Sequence, residues 1–120
     1  KVAEGDPNIG NLGGCELQLT TMKIVRSETF DRWIRGLKDK RGAARIQLRL
    51  DRLAEGNPGD ARPVGSGLSE LRVDIGPGYR VYYQQRGDVL IILLCGGDKS
   101  TQQNDIEKAH KIAKEWKDDG

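Results

Sequence analysis

Between Gly67 and Cys95 the chain alternates apolar and polar residues in two runs around a Gly-Pro-Gly turn, then becomes wholly apolar. Few folds accommodate that order. Leu71, Val73 and Ile75 share one parity of the first run, and Tyr79, Val81 and Tyr83 share one parity of the second. Successive side chains of a strand point to opposite faces, so each set marks the buried face of a strand. Val89 to Cys95 has no polar side chain that needs water, and it reads as a central strand covered on both faces. With Arg86-Gly87-Asp88 as the second turn, the segment predicts a three-stranded antiparallel meander.

Parity also constrains the first turn. Directly opposed residues of a hairpin share a face. A two-residue Pro-Gly loop would set Ile75 against Arg80 and mix core with charge. A three-residue Gly76-Pro77-Gly78 loop sets Ile75 against Tyr79 and Val73 against Val81, which keeps the apolar set together. An odd loop is therefore expected, and it gathers Arg72, Asp74, Arg80 and Tyr82 on the opposite face.

Upstream, Lys23 to Val25 reads as a short strand and Ser27 as the N-cap of a helix striped by Phe30, Trp33, Ile34 and Leu37. Gly36 weakens this helix, and Gly42 marks the expected break. Ala43, Ile46, Leu50, Leu53 and Ala54 stripe a second helix that ends at Gly56-Asn57-Pro58-Gly59. Gly59 to Gly67 reads as a loop. After Gly96-Gly97, Ser100 and Gln103 resemble a capping box ahead of a last helix striped by Ile106, Ala109, Ala113 and Trp116. The order β-α-α-β-β-β-α predicts an α+β domain: an antiparallel sheet with a helical hairpin on one face, the arginine-bearing face left open.

The 120 residues suffice for one domain, placed at 22–117 with a three-residue tail at 118–120. Residues 1–21 are rich in Gly, Asn, Asp and Pro and read as a flexible or non-native extension, with Met22 as the natural start. Cys15 and Cys95 have neither metal-ligand spacing nor the density of a disulfide framework, which points to a reducing, cytoplasmic setting. No metal, cofactor, membrane or small-molecule substrate is expected. Net charge is only +2, yet ten Lys and Arg face four acids between Lys23 and Arg52. That surplus reads either as a solvated helix face or as a footprint for nucleic acid, with Arg41, Arg45 and Arg49 of the second helix as the RNA-binding candidates.

The residues able to carry chemistry are Arg72, Arg80 and Tyr82 on the open face, with Lys99 just beyond the central strand. Guanidinium groups offer paired donors to phosphate oxygens and keep their charge at any useful pH. Placed at a phosphorus under attack by a neighbouring 2′-hydroxyl, they stabilise charge that accumulates on the non-bridging oxygens. The plainer reading makes Arg80 and Asp74 a cross-strand ion pair and Tyr82 an ordinary half-buried aromatic. His110, the single histidine, sits at the edge of the last helix's apolar stripe and reads as structural.

Gly-Leu-Ser-Glu-Leu-Arg-Val-Asp-Ile-Gly-Pro-Gly-Tyr-Arg-Val-Tyr-Tyr at 67–83, the apolar strand, Gly-Gly-Asp-Lys-Ser-Thr-Gln at 96–102 and the closing Ala- and Trp-bearing helix resemble the RelE/ParE superfamily of bacterial toxins, in its HigB-like branch of addiction module killer proteins. The resemblance spans about Met22 to Lys117. It implies a toxin of a type II toxin–antitoxin module that cuts messenger RNA on the ribosome without metal and leaves a 2′,3′-cyclic phosphate. By resemblance, Arg80 matches the strand arginine after Gly-Tyr, Arg72 a basic residue of the preceding strand, and Lys99 the cation after the last strand. The implied partners are the ribosome, messenger RNA and a helix-turn-helix antitoxin. The chain departs from the pattern where Asp105 stands in place of a helix tyrosine and Glu70 in place of a strand lysine. The general acid and base are thus unassigned, with Tyr82, Asp98 and His110 considered in that order. ParE-type relatives share the fold and poison DNA gyrase, and a relative that only binds its antitoxin is the third possibility.

Overall fold

In the computed structural model, which describes residues 21–116, the helical hairpin forms where the apolar stripes lie. Helix α1 (Glu28–Gly36) starts at Ser27, whose hydroxyl accepts from the Phe30 amide at 2.9 Å and donates to the Leu94 carbonyl at 2.5 Å. Helix α2 (Lys40–Ala54) starts at Asp39, which accepts from the Gly42 amide at 2.9 Å. Gly42, expected to break the hairpin, therefore lies in the first turn of α2, and the break falls at 37–39. Glycine is required there for space, because a Cβ would stand 2.5 Å from the Tyr79 ring.

Five strands form one sheet: β1 (Lys23–Arg26), β2 (Ala61–Gly65), β3 (Leu68–Val73), β4 (Tyr79–Arg86) and β5 (Leu90–Asp98), in the order β1-β5-β4-β3-β2. The fold is α+β and of the small RelE-like kind. Both edges differ from expectation. The Pro- and Gly-rich stretch read as a loop contributes the edge strand β2, antiparallel to β3, and β1 runs parallel to β5, so the sheet is mixed. The β3–β4 turn is odd but longer than three residues: Val73 pairs with Tyr79, Leu71 with Val81 and Arg72 with Arg80. Residues 74–78 close it, with Ile75 N–H bonded to Val73 C=O and Gly78 N–H to Ile75 C=O, and positive φ at Gly76 and Gly78.

Helices cover both faces. Phe30, Ile46, Leu50 and Leu53 of α1 and α2 pack on Leu71, Val73, Tyr79, Val81, Tyr83, Ile91 and Leu93. On the other face Ala109 and Ala113 of α3 (Gln102–Glu115) pack on Leu68, Tyr82, Ile92, Leu94 and Cys95, flanked by Ile106 and Trp116. The arginine-bearing face is consequently open only at the end that α3 does not reach. Gly96 and Gly97 let both layers close on β5: a Cβ at the first would overlap the Trp33 indole of α1, and at the second the Asp105 carboxylate of α3. The cap of the last helical segment also lies two residues earlier than expected. Asp98 and Thr101, rather than Ser100 and Gln103, form the reciprocal capping box, around a 3₁₀ turn at Lys99–Thr101. Residues 1–20 of the extension, Cys15 among them, and residues 117–120 lie outside the described residues. Among the described residues no helix is long and apolar enough to cross a membrane.

Candidate functional site

Arg72 and Arg80 are direct cross-strand partners, so their side chains leave the sheet on the same face. With Lys99 they line one cleft of about 260 Å³, completed by Gly78, Val73 and the carboxylates of Asp60 and Asp74. Arg72 Nε lies 3.3 Å from Asp60 Oδ1, a solvent-exposed pair. Arg80 has Gly97 as its other strand neighbour, and its Nε is buried with no acceptor among the described residues. The expected pairing of Arg80 with Asp74 is not formed; Asp74 has left the strand for the turn and Arg80 faces a second cation instead. Two like charges held opposite each other repel, and a buried N–H without an acceptor costs free energy, so an anion in this cleft would relieve both.

Lys99 is placed by its neighbours. Asp98 accepts from the Ser100 amide at 2.8 Å and from its hydroxyl at 2.5 Å, which fixes the turn that carries the lysine. The Ser100 bonds hold the Asp98 carboxyl below the ordinary carboxylate range. Across the cleft, the Lys99 Cβ is 3.7 Å from where a Gly78 Cβ would be.

Tyr82 shares the parity of the two arginines but not their exposure. It is fully buried beneath α3, and its hydroxyl donates to Glu70 Oε2 at 3.1 Å. Burial first, then the Glu70 charge, pushes its pKa far above the ordinary tyrosine value. The expectation of Tyr82 on an open face is thus corrected: it lies in the floor behind the cleft and is not available for proton transfer to a ligand there. Glu70, also fully buried, accepts further bonds from Arg62 Nε at 3.0 Å and Gln102 Nε2 at 2.6 Å. Burial alone would raise its pKa, but the bonds from Gln102, Tyr82 and Arg62 together bring it below the ordinary value. One carboxylate thereby joins β2, β3, β4 and the start of α3. Beside it, the nearly buried Asp105 accepts from the Thr101 hydroxyl at 2.5 Å.

Of the α2 arginines, Arg41 and Arg45 are exposed and border an apolar hollow formed by Ala44, Leu48 and Ile75. Arg49 is different. Its Nη1 donates to the Arg72 carbonyl at 2.6 Å and its Nη2 to the Pro58 and Asp60 carbonyls at 2.8 and 3.4 Å. These bonds occupy the guanidinium, so Arg49 is a clamp inside the fold and not a free contact for RNA. His110 lines a separate hollow with Ser66, Leu68, Gln84, Ala113 and Lys114, away from the arginines. Cys95 is buried, donates to the Asp105 carbonyl at 3.3 Å, and burial pushes its thiol up to about 12, which rules it out as a nucleophile.

Asp60, Glu70 and Gln102 were not foreseen as parts of this site. Asp60 sits in a stretch whose composition reads as loop, and Gln102 acts only through the placement of α3. Glu70 shares the parity of Arg72, the face read as open, so nothing local signalled its burial.

Comparison with known proteins places residues 32–117 under the family model described as phage derived protein Gp49-like (DUF891). An uncharacterized protein of Haemophilus influenzae is 50% identical over 95 residues, covering 79% of this chain and 96% of that protein.

Proposed function

The chain belongs to the phage-derived Gp49-like family, and from that premise we propose that it is the toxin of a type II toxin–antitoxin module, a HigB-like endoribonuclease that cuts messenger RNA on the ribosome. The observation that carries this reading is the convergence of Arg72, Arg80 and Lys99 on one cleft, with an Arg80 donor that lacks an acceptor. In the proposed reaction the 2′-oxygen of one nucleotide loses its proton and bonds to the adjacent phosphorus. The bond from phosphorus to the 5′-oxygen breaks, and that oxygen takes up a proton. A 2′,3′-cyclic phosphate and a 5′-hydroxyl result. Positive charge aimed at the non-bridging oxygens favours the transition state over the ground state, a role that guanidinium and ammonium groups fill without a metal. The partners in this reading are the ribosome, messenger RNA and a helix-turn-helix antitoxin, in the cytoplasm.

A second reading, a gyrase-binding toxin acting through the helical hairpin, is favoured by exposed Leu48, which lines one hollow with Arg41 and Arg45. Inducing the protein without its antitoxin and mapping transcript 5′ ends separates the two. Clustered in-frame cuts support the nuclease; intact transcripts with blocked supercoiling support the second reading and overturn the first.

A further inference from the structure

Cross-strand partners share a face, so the side of the sheet that carries Arg72 and Arg80 can be followed row by row. Arg72 opposes Arg80 in the first row, Arg62, Glu70 and Tyr82 align in the second, and Leu68 opposes Gln84 in the third. Successive rows are two residues apart, about 7 Å along the strands. At the third row a hollow of about 310 Å³ lies between α3 and the β2–β3 turn, lined by Ser66, Gln84, His110 and Lys114 over a floor of Leu68 and Ala113. Its polar side chains form a donor set. The Gln84 carbonyl oxygen already accepts from Arg86 Nε at 2.7 Å, which leaves the amide N–H groups for a ligand. The Ser66 hydroxyl, the His110 ring and the Lys114 ammonium have no partner among the described residues, and no described carboxylate lines the hollow. Ser66 is held in the left-handed region at φ 53°, between two left-handed glycines.

We propose that Arg62 and this hollow extend the cleft of Arg72, Arg80 and Lys99 into a track for single-stranded RNA, with phosphates seated at three successive rows of the sheet. The inference rests on the nuclease reading, which supplies the phosphate at the first row. Charge suits such a strand along the whole path. The cleft sets Arg72, Arg80 and Lys99 against Asp60 and Asp74. In the second row the exposed Arg62 offsets the fully buried Glu70 through its Nε, and its Nη groups have no hydrogen bond among the described residues. The third row adds Lys114 with no acid beside it. The row spacing is comparable to the repeat of phosphates along an extended strand, and a groove of donors that follows the backbone binds without regard to sequence. A lone phosphate ion explains less, because the hollow is larger than such an ion and its apolar floor has a use only for the ribose or base that a strand carries.

The test uses the full chain and fluorescein-labelled 2′-O-methyl uridine tetramers, which lack the free hydroxyl that cleavage needs. Anisotropy at several salt concentrations reads affinity and its salt slope. Lys114→Gln is expected to weaken the tetramer roughly fivefold and to reduce the slope by about 0.7, the share of one phosphate contact on a single strand. Lys114→Arg is expected to restore both. Lys111→Gln removes the same charge from an exposed site of α3 outside the hollow, and is expected to leave the slope unchanged. In NMR spectra the tetramer is expected to shift the Gln84 side-chain amide, and inorganic phosphate at the same concentration to leave it in place. The proposal is overturned if the tetramer does not bind, if Lys114→Gln binds it like the parent, or if Lys111→Gln weakens it equally. It is also overturned if inorganic phosphate shifts the Gln84 amide as far as the tetramer does, which makes the hollow a separate small-anion site. The two readings fail separately. Cut transcripts with an unaltered Lys114→Gln sink the track alone, and uncut transcripts with tetramer binding that still depends on Arg80 and Lys114 sink the nuclease alone.

Discussion

Arg49 donates to the main-chain carbonyl of Arg72 at 2.6 Å, so one arginine of α2 holds the strand end from which another enters the cleft shared with Arg80 and Lys99. The same guanidinium bonds Pro58 and Asp60, which ties the start of β2 to that point. Removing a charged donor from buried or partly buried carbonyls costs about 2 kcal/mol per well-formed bond. Arg49→Ala is expected to lower the urea midpoint clearly at an unchanged m-value, whereas Arg41→Ala and Arg45→Ala, on the exposed face, leave it within about 0.5 kcal/mol of the parent.

Arg80→Ala removes one member of a like-charged cross-strand pair. Stability is expected to stay level or rise slightly, while growth arrest is lost, with a drop of roughly 10²–10³ in cleavage if the guanidinium stabilises the transition state. Arg72→Ala is expected to behave likewise. Thermal melts alongside mapped transcript ends check both, and undiminished cleavage in either variant would remove that residue from the mechanism.

Glu70 is held below the ordinary carboxylate pKa in the folded chain. A carboxyl with a depressed folded value binds a proton more readily when unfolded. Its contribution is therefore complete above the unfolded value, about 4.5, and is lost as pH falls through the lower folded value. Glu70→Gln is expected to destabilise the fold by about 3 kcal/mol at neutral pH, because three donors then converge on an amide, and to flatten the acid limb of the stability profile. Denaturation midpoints followed from neutral pH down through and below 4.5 check the sign.

Glycine substitutions are expected to split by location. Gly97→Ala drives a methyl group into the Asp105 carboxylate and Thr101 hydroxyl, and Gly96→Ala into the Trp33 ring, each an overpacking worth about 1–3 kcal/mol. Gly36→Ala meets nothing within 4 Å at the end of α1 and is expected to stabilise by about 0.5 kcal/mol. Melting temperatures of the three variants decide the matter.

What could be read from the residues was whatever follows from period. The parity of β3 and β4 put Arg72, Arg80 and Tyr82 on one face and the core set on the other, because a strand slipped by one residue would bury charge. The turn came out two residues longer because Val73, Ile75 and Gly78 close it with local bonds that only the left-handed Gly76 and Gly78 permit. Depth was not readable. Tyr82 is covered, while Arg80 lines the cleft with Lys99, because of where α3 starts, which no local pattern of β4 encodes. β2 has turn composition and becomes a strand through its pairing with β3, with Arg62 also reaching Glu70. Arg49 did carry a signal: it falls three residues after Ile46 and one before Leu50, inside the buried stripe of α2.

The parallel pairing of β1 with β5 joins residues that are 67 apart in the chain, as the Ser27–Leu94 bond measures directly. A polypeptide leaves the ribosome amino end first, so Lys23–Arg26 and the cap of α1 stay without their partner until Leu90–Leu93 have been synthesised and have cleared the exit tunnel. Loop-closure entropy over that separation makes this docking a late event in folding. The first strand is thus completed only when almost the whole domain has been translated.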